Sequence, residues 1–224
     1  MVTKQLFFGA LGKFLLGVIL VGTLIFLPAG TTRFFGGWLL MAALFLPMFL
    51  AGIVMMVKNP KLLQSRLDAK EKAGEQQLVI KLSGLMFLIG FVLAGLGVRF
   101  EWYILPRWVS LTATALFLLA YGVYAEVLRE NTFLSRTIQV QAHQRVIDTG
   151  LYGVVRHPMY SATLLLFLCM PLILGSVYAF AVFLTYPLII VQRIRHEEAF
   201  LIKELSGYEE YRQKVKYRLI PFIW

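Results

Sequence analysis

Uncharged apolar runs separated by short polar connections dominate this chain. They lie at 14–29, 37–57, 82–98, 109–127, 160–174 and 176–190. Several approach the roughly 20 residues that a helix rising about 1.5 Å per residue needs to cross about 30 Å of hydrocarbon. The last two are short and nearly continuous, joined through Pro171, Leu174 and Gly175, which reads as a tight helical hairpin. The pattern predicts an all-α integral membrane protein with five to six transmembrane helices, the hairpin either crossing fully or dipping into the bilayer.

Composition supports the bilayer as solvent. The chain is 59% hydrophobic and only 15% charged, too little charge for a water-soluble domain of this length. The basic start followed by an apolar run has the outline of a signal peptide. The run is too long for one, however, and 26–32 offers no small-x-small cleavage site, so it is read as the first span.

Charge then orients the helices. With the N-terminus in the cytoplasm, 19 of the 22 basic residues fall on that side, and only Arg33, Arg99 and Arg107 fall on the other. This asymmetry predicts two cytoplasmic termini. The net charge of +10 therefore reflects cytoplasmic loops and contact with anionic lipid, not nucleic acid. The mixed-charge segment 58–81 reads as an interfacial helix. A single cysteine, Cys169, and three scattered histidines (His143, His157, His196) exclude an intrachain disulfide and provide no metal-ligand set.

Residues 1–127 hold four spans, and the candidate chemistry lies in 128–224. The polar connection 130–160 ends in Arg156-His157-Pro158-Met159-Tyr160, a cation, an imidazole and a phenol at a helix start with proline at a tolerated position. Unpaired amides at such a start suit an anionic group. After the hairpin, Gln192-Arg193-Ile194-Arg195-His196-Glu197-Glu198 places Arg193 and Glu197 at i and i+4 on one helix face. Spacing alone fits both an interfacial anchor that snorkels and a functional pair. The hairpin returns this cluster to the membrane side where His157 begins.

Five stretches in order around the hairpin carry a resemblance: Glu130-Asn131-Thr132-Phe133, Thr149-Gly150-Leu151-Tyr152, Arg156 to Tyr160, Glu197-Glu198 with Leu201-Ile202, and Tyr208 to Ile220-Pro221-Phe222. Together they resemble the membrane methyltransferases that include isoprenylcysteine carboxyl methyltransferases and phospholipid N-methyltransferases. Two positions depart from that pattern. Ala162 stands where glycine is usual, and Gln144-Arg145-Val146-Ile147 stands where a stretch beginning with histidine is usual, with His143 displaced by one.

The resemblance implies S-adenosyl-L-methionine as cofactor, whose methyl group is intrinsically electrophilic, so that orientation and electrostatics suffice without a metal. It implies that Gln141, Val146, Ile147, Tyr152, His157, Pro158, Tyr160 and Glu197 contact the cofactor, His157 at its carboxylate and Glu197 at its ammonium or ribose. Arg193 would hold the acceptor through its planar fork, and Glu198 would orient Arg193 or cap the cofactor site. Tyr208 and Tyr211 would fold the tail back as a lid. The expected acceptor is an amphiphile entering from the bilayer, foremost the carboxylate of an isoprenylcysteine-like molecule, with a lipid amine as the alternative. Membrane sterol-type reductases, which use NADPH, share a related C-terminal architecture but typically carry Arg-Asp where this chain has Glu197-Glu198. A transporter is disfavoured because the apolar spans hold almost no ionisable residue before Glu126.

Overall fold

The computed structural model describes residues 4–60, 63, 64, 67, 74–102, 104–131, 133 and 140–224. Four long helices come first: α1 (Lys4–Ala29), α2 (Phe35–Lys58), α3 (Gly74–Arg99) and α4 (Arg107–Glu130). A short 3-10 turn at Gly150–Gly153 precedes α5 (Pro158–Ile173), α6 (Val177–Phe183), α7 (Tyr186–Glu204) and α8 (Tyr208–Lys214). Strands are absent among the described residues, apart from one isolated bridge between Ile104 and Ser176.

Among the described residues, five stretches are long and apolar enough to cross a membrane: α1, α2, Gln77–Arg99 of α3, α4, and the 28 residues Val177–Glu204 that join α6 to α7. Helix α5, at 16 residues, reaches about 24 Å and falls short of that length. The hairpin is therefore asymmetric. Its second arm does not stop at 190 but continues through the charged cluster to Glu204. Much of the middle of the segment 58–81 expected to lie at the interface is outside the described residues, and its last part, from Gly74, forms the opening turns of α3.

The hairpin turn is set by Ser176, whose hydroxyl caps α6 by accepting from the Ala179 amide at 3.2 Å. The Leu105 amide donates to the Gly175 carbonyl at 2.8 Å, tying the turn to the α3–α4 connection. Helix α5 packs along α4, and α3 packs on α1 and α6. At the α1–α3 crossing, a Cβ on Gly95 would sit 2.5 Å from the Ile25 carbonyl oxygen, so glycine is what allows that approach. Ile25, Leu40, Phe117, Ile173, Phe183 and Ile194 form the interior. Leu20, Leu119 and Leu188 are among many large apolar side chains left outward, as suits a lipid-facing surface.

Connectivity puts the connections after α2 and α4 and the tail after α7 at one end of the bundle. The segment 140–157 and the tail 205–224 close on each other there, beneath α5 and α7.

Candidate active site

Helix α5 starts at a point fixed from several sides. The Arg156 and His157 amides donate to the Tyr217 and Arg218 carbonyls, each at 2.9 Å. The Ser161 hydroxyl reaches the Leu219 carbonyl at 2.5 Å. The tail thus holds the residues that lead into α5, and the His157 amide is not among those left for an anion.

Glu198 is the centre of this arrangement. Tyr186, Ile190, Ile194 and Glu198 recur every four residues on α7, and all are buried, so a carboxylate occupies the last position of an apolar stripe. Its Oε1 accepts from Arg156 Nε at 2.7 Å and faces His157 Nε2 at 3.2 Å. Its Oε2 accepts from Arg218 Nε at 2.8 Å. Arg156 also donates to the Val215 and Lys216 carbonyls at 2.7 and 2.9 Å. Arg156, His157 and Glu198 are all buried, and this mutual pairing is what makes their burial tolerable.

One residue earlier on α7, the next face holds a second cluster. Arg193 Nε donates to the Tyr160 hydroxyl at 2.7 Å, and that hydroxyl donates to Glu197 Oε2. The guanidinium also lies 5.8 Å from the centre of the Tyr160 ring. His157 stacks on Tyr160, with ring centres 5.6 Å apart. Tyr160 therefore joins the cation to the carboxylate and sets the distance between them.

These groups line a cavity between α5, α7, the tail and the segment after α4. Val146, Ile147, Tyr152, His157, Tyr160, Arg193 and Glu197 all contribute to its wall. Gln141, Pro158 and Glu198 stand outside that wall. The Gln141 side chain donates to the Phe133 carbonyl at 2.6 Å, Pro158 is buried as the first residue of α5, and Glu198 lies behind in its ion-pair network. Its side chain touches Arg156, His157 and Arg218. His143 is exposed with a φ of 60° and is not part of the wall.

The wall also includes Asn131, Phe133, Arg156, Tyr208 and Tyr211, to which sequence reasoning assigned no cofactor contact. The Asn131 amide donates to the Tyr152 hydroxyl at 3.0 Å, and the Tyr211 hydroxyl donates to the Tyr152 carbonyl at 2.7 Å. Burial pushes the Tyr152 phenol up to about 12, the Asn131 contact partly offsetting it, so this side chain stays neutral. The turn carrying Tyr152 is held in turn by Glu130, whose carboxylate accepts from the Thr149 hydroxyl at 3.0 Å and the Leu151 amide at 3.1 Å. Gly150 lies between them with a φ of +48°, and a Cβ there would collide with that carboxylate. The signal for Arg156 was present in the sequence: a lone glutamate in a buried stripe demands a buried cation.

Among the described residues, no group of histidine, cysteine and acidic side chains could hold a metal ion. A second, apolar cavity opens between α3 and α7, lined by Leu78, Val79, Leu82, Leu188, Ile189, Gln192 and His196. No curated protein matches the chain. Residues 107–206 match the family model for phospholipid methyltransferase, a stretch that runs from the start of α4 to just past the end of α7 and includes most of the cavity wall.

Proposed function

We propose that the cavity binds S-adenosylmethionine and that the protein methylates the carboxylate of an amphiphile resembling isoprenylcysteine. The observation that carries this reading is the chain Arg193–Tyr160–Glu197 in the cavity wall. It offers a cationic fork and a carboxylate at fixed separation, one for an anionic acceptor and one for a cationic cofactor end.

The residues fit that cofactor. Glu197 suits an ammonium or ribose hydroxyls. His157 turns Nε2 to Glu198, which leaves Nδ1 as the ring nitrogen for a polar group of the cofactor. Val146, Leu201 and Leu205 supply an apolar surface, and the buried Tyr208 hydroxyl has no partner among the described residues. When bound, the cofactor would supply a methyl group on a sulfonium, which an acceptor carboxylate would take to become an ester as the S–CH3 bond breaks and the sulfur leaves as a neutral thioether. Arg193 orients that carboxylate in its planar fork. No general base is required, since a carboxylate is already ionised at neutral pH. The wall's part is alignment and the exclusion of water.

An apolar tail suits the acceptor because Arg193 stands one turn beyond Ile189 on α7, beside the apolar cavity between α3 and α7. The distribution of basic residues supports a cytoplasmic location for this end of the bundle. Methylation of a lipid amine is the second reading, favoured by the phospholipid methyltransferase match; Glu197 would there face the acceptor's ammonium.

The test uses purified protein with methyl-labelled S-adenosylmethionine and two acceptors, N-acetyl-S-farnesylcysteine and phosphatidylethanolamine vesicles. The proposal expects label in the first, released as methanol by mild alkali. Alkali-stable label in the second, with none in the first, would replace the carboxylate reading with the amine reading.

A further inference from the structure

Helix α7 contributes to the cavity along a single line. Arg193, Glu197, Leu201 and Leu205 follow at intervals of four residues, and all line it. At about 1.5 Å per residue this line extends roughly 18 Å, charged at one end and apolar at the other. The apolar end is completed by Val146, Tyr208 and Tyr211, which pack together with Leu201 and Leu205.

Within that apolar end one polar atom is left over. The Tyr208 side chain is buried, and its hydroxyl has no hydrogen-bond partner among the described residues. Tyr211, on the same short helix, donates to the Tyr152 carbonyl. Burying an unpaired hydroxyl is costly, and phenylalanine would occupy the same space without that cost. Burial and the nearby Glu198 and Glu197 carboxylates hold the Tyr208 phenol well above its ordinary range, so it remains a donor at neutral pH.

We propose that Tyr208 is a specificity-determining residue, whose hydroxyl donates to a ring nitrogen of the purine of the bound nucleoside. The purine lies against Leu201, Leu205 and Val146, while the amino-acid end reaches Glu197. An apolar slot with one donor suits a flat heterocycle; the charged end of the ligand has its partners two turns away. This assignment rests on the S-adenosylmethionine reading.

The experiment is calorimetry of S-adenosylhomocysteine with wild type and Tyr208→Phe in detergent, together with thermal midpoints without ligand. Tyr208→Phe should bind about tenfold more weakly, with an unchanged or higher ligand-free midpoint. Among analogues in which each purine ring nitrogen is replaced in turn by CH, one should lose the same factor with wild type and lose nothing further with Tyr208→Phe. Unchanged affinity in Tyr208→Phe, or a wild type indifferent to all the analogues, would overturn the assignment. A wild type that binds no S-adenosylhomocysteine would instead overturn the cofactor reading on which it rests.

Discussion

Glu197 and Glu198 are adjacent in sequence, but the roughly 100° between successive helical residues sends them to different tasks. Glu198 faces the buried stripe of α7 and is enclosed by Arg156, His157 and Arg218. Glu197 faces the cavity and takes the Tyr160 hydroxyl. Removing the first should therefore cost stability, because Arg156 would be left buried without its carboxylate. We expect Glu198→Ala to destabilise by about 3–5 kcal/mol, read as a large fall in the thermal midpoint in detergent. Glu197→Ala should lower the midpoint far less, since Tyr160 keeps its contact with Arg193. Equal midpoints for the two variants would contradict this separation. Sequence reasoning placed both glutamates at the site but gave Glu198 a role towards Arg193 or the cofactor. Its observed partners lie 42, 41 and 20 residues away, and no local spacing discloses contacts of that range.

At the scale of the elements, the apolar runs were legible because crossing a bilayer imposes both length and composition. The runs at 14–29, 37–57, 82–98 and 109–127 all lie within α1 to α4. The helices extend further than the runs because helical hydrogen bonding continues into polar flanks, as in Gly74–Arg99. The hairpin was legible from Pro171, Leu174 and Gly175, but the break between α6 and α7 was not. It falls at Leu184 and Thr185, with Pro187 in the first turn of α7, inside a run that composition alone leaves uninterrupted. The consequence matters for the site. Ending the second arm at Glu204 carries Arg193, Glu197, Leu201 and the cap Leu205 along one rigid helix, more precise a support than a loop would be. The opposite wall depends on the clasp between Glu130 and the turn at Gly150, which the motif Glu130-Asn131 hinted at without showing its partner.

For the whole molecule, two claims are open to direct measurement. The first is orientation. By sequence position, 19 basic residues belong to the N-terminal segment, the stretches that follow α2 and α4 and the tail, and 3 to the other connections, so we infer that both termini and the connection between α2 and α3 are cytoplasmic. Reporter fusions at the C-terminus and near Gly74 should both report the cytoplasm, and an outside signal from either would reverse the assignment. The second is the central one: the cavity between α5, α7 and the tail is an S-adenosylmethionine site. Its most direct test is calorimetric titration of the purified wild-type protein in detergent with S-adenosylhomocysteine and with NADPH, each in the presence of a chelator. Saturable binding of S-adenosylhomocysteine that survives the chelator is expected, with no binding of NADPH. Saturable binding of NADPH with no response to S-adenosylhomocysteine would contradict it and give the cavity to the reductase reading.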